Sequence, residues 1–473
     1  MEIAKITVSA DTGGANPNLD AHFRTFRCGK KTVVAEAIRR MRDGRFTAIW
    51  LAILLLVSST LFAEDWPGFK SRRARLISEL KGAAALVPGE MELELASFRQ
   101  SNNFYYLTGI EQPDLILILS PEARSSETLF LPARNLDQGS LSEAWTGEKL
   151  GPGQKTQDAV GIASAQEKST FEQTLAELAG KIDVLYFDFT PSPLDGPRSA
   201  GEVLLEKIER RYPHLVIRPL SRLVDPLRMV KDSVELAALQ KAIDITAESL
   251  RHSMQQLAPG MYEYEVEALI EYGFQRRGSQ RPGFPSIVGS GPNTVVLHYN
   301  SNRRKIQEGE LVLMDVGAEY DYYSADVTRT VPVNGSFTDR QLEIYNIVLA
   351  AQQAGIRAVR PGITLKEVHA AARKVIDDAG YGKYFIHYTS HFLGMDVHDV
   401  GSRADTLAPG MVITVEPGIY IPEEGIGVRI EDDVLVTDRG SRVMSAAAPK
   451  TPDEIIAIMR SNKRTGVSTG PGF

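Results

Sequence analysis

Two aspartates, two glutamates and a cluster of histidines in the second half of the chain are spaced as metal ligands could be. Asp315 closes an apolar run (LVLMD), and Asp326 opens the next (DVTRTV) eleven residues on. The intervening Gly317–Ser324 is long enough for a hairpin turn, so both carboxylates can face one site from neighbouring strands. A carboxylate on the inner face of an apolar strand is costly unless it is paired or bound to a cation. His387, His391 and His398 place three of the eight histidines within one short stretch (HYTSHFLGMDVHD). Imidazole serves both as a metal ligand and as a proton carrier, so such a cluster belongs where both are needed. Glu416 follows a second apolar run, Met411–Val415, and is stopped by Pro417-Gly418. Glu431 stands two residues after Arg429 in VRIEDDVLV, which in one strand would put both side chains on a single face. Taken singly, each acid is as well explained by a turn or a solvated strand end. Together they make a site.

Charge counting gives the chemistry. Four carboxylates and one imidazole neutralise two divalent cations and leave a bridging hydroxide as the extra negative charge. An oxygen-rich ligand set favours a hard ion, Mn²⁺ first, with Co²⁺, Zn²⁺ and Fe²⁺ also compatible. Two ions about 3.5–4 Å apart lower the pKa of a shared water towards ~7 and polarise a carbonyl, which is amide hydrolysis without a nucleophilic side chain.

Other chemistries find little support. Cys28 is the sole cysteine, so an internal disulfide and a thiolate metal cluster are excluded, and it lies far from the histidines. Gly289-Ser290-Gly291 lacks the spacing of a nucleophile elbow, and there is no phosphate-binding P-loop. A net charge of −7 and a pI near 5.8 provide no basic field for nucleic acid.

The elements that must hold these residues fall into two parts. With 473 residues the chain needs more than one core. Residues 64–225 alternate strand-like runs (Leu115–Leu119, Thr128–Leu131, Val184–Phe187) with helical ones such as Ser169–Ile182, an α/β pattern with three layers or a mixed sheet. Asp225-Pro226 punctuates the chain. In residues 226–460, apolar spacing predicts helices over Lys231–Gln256, Glu263–Arg276, Asp339–Val359 and Leu365–Ala379. Strands are expected at Leu311–Val316, Ala325–Val333, Val412–Glu416 and Val428–Val436. The mixed order indicates α+β with an antiparallel sheet. Residues 461–473, rich in Gly, Ser and Thr, read as a flexible tail.

Residues 1–63 read as a leader. Basic residues from Arg42 to Arg45 precede the apolar run Phe46–Ala63, the order of a secretory signal. Export to the periplasm or medium is the expectation, with retention as an anchor through 46–63 the rival. Met41 stands where translation would start, which would leave Cys28 out of the exported protein.

Several motifs then carry a family resemblance. LHY at Leu297–Tyr299, MDVGAEYDYYSAD at Met314–Asp326, HYTSHFLGMDVHDVG at His387–Gly401, VEPGIY at Val415–Tyr420 and VRIEDD at Val428–Asp433 resemble the pita-bread metallopeptidases of the creatinase/aminopeptidase type. FRQSNNFYYLTG at Phe98–Gly109 and WTGEKLGP at Trp145–Pro152 resemble the N-terminal domain of the Xaa-Pro aminopeptidases (aminopeptidase P). The resemblance implies an α/β N-terminal domain followed by an α+β pita-bread catalytic domain. By it, Asp315 would bind one metal and Asp326 and Glu431 would bridge two. His391 and Glu416 would hold the second, with Glu416 helping to deprotonate the metal-bound water. His298, His387 and His398 would bind substrate or steady the tetrahedral intermediate, and Arg429 would anchor the site. The implied substrate is a peptide with proline at position two, and the implied assembly is a homo-oligomer, a dimer or tetramer. Prolidase shares the catalytic half, and a metal-free creatinase-like or non-catalytic relative shares the fold, although such relatives lose ligands and all five are kept here.

Overall fold

Strands that are apolar at every position need cover on both faces, and the first half of the chain provides it. The computed structural model describes residues 66–463 apart from 93–96, 134–146, 148, 190–194 and 197. Its first sheet is formed by β1 (Ala84–Pro88), β2 (Ile116–Leu119), β3 (Glu127–Leu131), β4 (Ser164–Glu167), β5 (Val184–Phe187) and β6 (Val216–Pro219), in the order β4-β3-β2-β1-β5-β6. It is mixed: β1 runs antiparallel to β2 and parallel to β5. Ala85, Val87, Leu117, Leu119 and Leu129 pack on one face against Leu76 of helix Trp66–Glu79 and Leu80 just beyond it. Ala84, Leu86, Ile116, Ile118 and Phe130 pack on the other against Phe171, Leu175 and Ile208. This is the expected three-layer α/β arrangement.

The second half is built on β7 (Arg281–Pro282), β8 (Ile287–Ser290), β9 (Leu311–Val316), β10 (Ala318–Tyr320), β11 (Tyr323–Ser324) and β12 (Val327–Pro332), followed by β13 (Val412–Val415), β14 (Gly418–Ile421), β15 (Ile426–Arg429), β16 (Asp432–Thr437) and β17 (Gly440–Val443). They pair as β12-β9-β8, β13-β16-β17, β14-β15 and the small ribbon β11-β10-β7, and every pairing is antiparallel. Helices Ser233–Gln256, Glu263–Arg276 and Asp339–Ala358 bury Leu250, Met254, Ile270, Phe274 and Val348 against Val312, Met314 and Val331 of the sheet. The first of these starts where the sequence demands it, because Asp232 caps the Val234 and Glu235 amides and Glu235 caps Asp232 in return.

Three expectations are corrected. Asp225-Pro226 is not a break in local structure: both residues lie inside helix Ser221–Met229. The helix is held by Val224 and Leu220 in a core that also takes Leu393, Val412 and Leu435 from the second half. Packing on both sides outweighs the one hydrogen bond that proline forfeits, and the described residues form one compact unit. The strand predicted over Val428–Val436 is two strands, because Ile430 and Glu431 cross from the β14-β15 ribbon to the β13-β16-β17 sheet. Residues 461–463, expected in the tail, instead continue helix Pro452–Lys463, whose Ile455 and Met459 are buried, and residues 464–473 lie outside the described residues. The apolar run 46–63 lies outside the described residues, as do Trp145, Thr146 and Glu148 of the second N-terminal motif. Among the described residues no helix is long and apolar enough to cross a membrane.

Asp188, just past β5, gives a first prediction. Burial lifts its carboxyl to about 6, against the hydrogen bond from Asn103 and the charge of Arg228. A folded-state value above the unfolded one means that the proton favours folding, and this stability is lost as pH rises through about 6. Asp188→Asn should therefore raise Tm more at about pH 8 than at about pH 5. An equal shift at both pH values in thermal melts would refute the assignment.

Candidate metal centre

The hairpin β9–β12 fixes the first two carboxylates. Asp315 lies directly opposite Thr328, and Asp326 precedes Thr328 by two residues, so all three point to one face. The connection is tighter than a plain loop. β10 and β11 continue the hairpin to a two-residue tip, Asp321-Tyr322, with φ of 47° and 69°, the left-handed pair of a type I′ turn. Gly317 makes the close approach possible: a Cβ there would stand 1.8 Å from the Ala325 carbonyl oxygen. Gly317→Ala should cost about 1–3 kcal/mol through forced backbone displacement and loosen metal retention, as urea unfolding and metal analysis would show. Unchanged stability would refute the strain argument.

The loop before β13 supplies the histidines. His391 donates from Nδ1 to the Phe392 carbonyl oxygen at 3.0 Å. That fixes its tautomer and leaves the Nε2 lone pair facing Asp326 Oδ2 at 3.4 Å and Glu416 Oε1 at 3.5 Å. A lone pair aimed at two carboxylates asks for a cation between them. Thr414 braces this corner, accepting from the His391 amide at 3.2 Å and donating to Glu416 Oε1 at 3.3 Å. Glu416 itself is fixed by its amide, which donates to the Thr389 carbonyl.

Glu431 and Arg429 close the site from the crossing between β15 and β16. Thr328 donates its hydroxyl to Glu431 Oε2 at 2.5 Å. Arg429, buried, donates to Asp315 Oδ2 at 2.5 Å, to Thr328 Oγ1 at 3.1 Å and to the Tyr420 hydroxyl at 2.9 Å. Tyr420 in turn donates to His387 Nε2 at 2.9 Å, because His387 Nδ1 donates to the Tyr388 carbonyl oxygen. Burial, reinforced by Arg429, pushes the His387 imidazole down to about 3, so it is neutral at working pH. Behind Glu431, the fully buried Arg329 donates to the carbonyls of Pro449, Thr328, Glu431 and Ala448 and to Asp432 Oδ1.

The electrostatics identify what the site lacks within the chain. Burial first, and then the neighbouring acids, push Asp326 and Glu431 well above the ordinary carboxylate range. Glu416 is also raised by burial, although His391 and Arg429 pull it back. Asp315 Oδ1 is buried without a hydrogen-bond partner. Asp326, His391 and Glu431 can each turn one ligand atom to within 4.8 Å of the others. Buried acids with too little positive charge and a free imidazole lone pair fit divalent metal ions.

All nine residues singled out in the sequence, Asp315, Asp326, His391, Glu416, Glu431, His298, His387, His398 and Arg429, line one cavity of about 740 Å³. The His398 ring lies 4.3 Å from that of His391, and Phe284, Pro285, Ile287 and Leu297 form an apolar wall. Sequence reasoning missed Thr328, Thr414 and Tyr420. The first two stand two residues from Asp326 and Glu416, the strand period that shares a face, so the signal was present. Tyr420 meets the site by turning back along the β14-β15 ribbon, which spacing alone does not reveal.

Residues 237–438 match metallopeptidase family M24, and residues 69–186 match the aminopeptidase P N-terminal domain. The Xaa-Pro aminopeptidase of Escherichia coli is 35% identical over 438 residues, covering 83% of this chain and 97% of that protein. That of Haemophilus influenzae is 33% identical over 429 residues, covering 83% and 96%. The structure of E. coli aminopeptidase P with the inhibitor Pro-Leu superposes with a TM-score of 0.76 at 33% identity, over 85% of this chain and 99% of that one. A Xaa-Pro dipeptidase from Pyrococcus furiosus matches over only 50% of this chain, at 38% identity. With both halves matched and the buried acids and histidine converging as described, the chain belongs to the aminopeptidase P family of pita-bread metallopeptidases.

Proposed function

We propose that the protein is a metal-dependent Xaa-Pro aminopeptidase that removes the N-terminal residue preceding a proline. The convergence of Asp326, His391 and Glu431, with Asp315 and Glu416 beside them, carries this reading. Asp315, Asp326, His391, Glu416 and Glu431 would hold two divalent ions, Mn²⁺ by the hardness of the oxygen ligands, and a Zn-substituted E. coli relative is among the similar structures. When bound, the metals supply Lewis acidity and an acidified water. Glu416, lining the cavity beside His391, would be the group to take a proton from such a water. His387, held neutral, has both ring nitrogens engaged, Nδ1 with the Tyr388 carbonyl and Nε2 with the Tyr420 hydroxyl, and so fixes the Tyr420 and Arg429 side chains beside the site. His298 and His398 flank the same space.

A bond to proline has no amide N–H, so the enzyme cannot grip the backbone donor that most proteases use. The apolar wall of Phe284, Pro285, Ile287 and Leu297 offers shape recognition of the pyrrolidine ring instead. The same reading includes export, from the run Phe46–Ala63, and a homo-oligomer of two or four chains.

The deciding experiment incubates the Mn²⁺-loaded protein with Ala-Pro and with Ala-Pro-Pro-Ala, with and without chelator, and identifies products by mass spectrometry. Alanine released from the tetrapeptide and lost with chelator is the expected result. Cleavage of Ala-Pro alone would shift the assignment to prolidase.

A further inference from the structure

The N-terminal motif Phe98–Gly109 has so far no role in the chemistry, yet it touches both elements that carry the metal ligands. One contact is at the tip of the β9–β12 hairpin. The Tyr322 ring stacks on Tyr105, with centroids 3.7 Å apart and planes 10° from parallel, and the Arg99 guanidinium lies 4.3 Å from the same ring. The Gln100 amide donates to the Tyr322 hydroxyl at 2.9 Å, and that hydroxyl donates to Glu111 at 3.0 Å. Arg99 also donates to Glu319 of β10 at 2.9 Å. Asp315 and Asp326 stand at the base of this hairpin, one on each arm.

The second contact is with the loop that carries His391 and His398. Arg228 donates to Asn103 Oδ1 at 2.9 Å, to Asp396 at 2.9 Å and to Asp399 at 2.6 Å. Lys231 donates to the other Asp399 oxygen at 3.0 Å. The loop is closed tightly on this ion cluster, for a Cβ at Gly394 would lie 2.0 Å from Asp399 Oδ2. Hairpin and loop are themselves joined where the Ser324 amide donates to the Gly394 carbonyl at 2.9 Å. Residues 99–105 thus brace both elements from one side.

We infer that Asn103 and Tyr105 are positioning residues, and that their segment is a splint setting the separation of the aspartate hairpin from the histidine loop. The rigidity is in the chemistry. A flat aromatic stack fixes the hairpin tip in two directions, and a buried guanidinium shared among an amide and two carboxylates fixes the loop. The short run from Tyr322 to Asp326 transmits such a constraint, because β11 pairs with β10, the Ser324 amide donates to the Gly394 carbonyl and the Ala325 amide to the Ala318 carbonyl. Groups bonded directly to metal ligands govern metal affinity by about 10–100-fold, and Asn103 and Tyr105 act one step behind such groups, so the lower end of that range is expected. The inference rests on the metal-site reading above.

The test is Mn²⁺ binding to the full chain, by competition with a chelating dye, alongside thermal melts. Tyr105→Ala should bind Mn²⁺ roughly tenfold more weakly, and Tyr105→Phe, which keeps the stack, should match wild type. Asn103→Ala should also weaken binding, and it carries the test if Tyr105→Ala does not fold. Phe171→Ala, which hollows the opposite face of the first sheet where Phe171 meets Phe130, should lower Tm but leave Mn²⁺ affinity unchanged. Wild-type affinity in folded Asn103→Ala and Tyr105→Ala would overturn the splint. No Mn²⁺ binding by the wild-type chain would instead overturn the metal site itself.

Discussion

Glu416→Ala is expected to abolish turnover, a fall of about 10³-fold or more, while leaving the fold intact. Two losses combine in one side chain. The carboxylate that faces His391 Nε2 at 3.5 Å is gone from the ligand set, and so is the group placed to accept the proton from the attacking water. General-base contributions alone reach about 10²–10⁴-fold. The fold should survive because Glu416 is raised by burial and by Asp315, so its removal relieves repulsion among the acids. The alanine methyl leaves the Glu416 amide bonded to Thr389. Circular dichroism and a melt should resemble wild type while the proline-peptide assay reads zero. Near-normal activity in a folded variant would sink the mechanism.

Arg329→Met should produce the largest loss of stability, about 3–5 kcal/mol. The side chain is completely buried, and its N–H groups are spent on four carbonyls and on Asp432. Methionine fills much of the volume but satisfies none of them. Asp432 keeps Lys450, Gln352 and Ser445 as partners, so the cost is a broken network rather than an isolated charge. Because one of the carbonyls belongs to Glu431, the damage reaches the site as well. Equilibrium denaturation should show the loss, and a change below about 1 kcal/mol would mean that water replaces the guanidinium.

What the sequence discloses follows from how local each feature is. Helix Glu263–Arg276 and strands Leu311–Val316 and Val184–Phe187 match their apolar periods, because one buried face or two covered faces decide the element. Eight of the nine cavity residues were legible as residue types on or beside apolar strands and as a histidine cluster, and His298 only through the family resemblance. The chain crossing at Ile430-Glu431 was not, since an apolar run looks the same whether it continues in one sheet or changes sheets. Nor was the helical setting of Pro226, where contacts from distant segments override a local signal. Tyr420 and Arg329 escaped for the same reason: each acts on partners reached only after the sheets assemble.

The bracing of the ligands by Thr328, Thr414, Arg329 and the Phe392 carbonyl has a consequence for metal traffic. Asp315, His391, Glu416 and Glu431 are each oriented by a protein group as well as by any ion, so emptying the site does not erase its shape. A stripped molecule is then a reusable receptacle, recharged without refolding. Because Mn²⁺ stands low in the intrinsic affinity order of divalent ions, such a receptacle would take the ion set jointly by its oxygen-rich ligands and by the metals available when it is loaded.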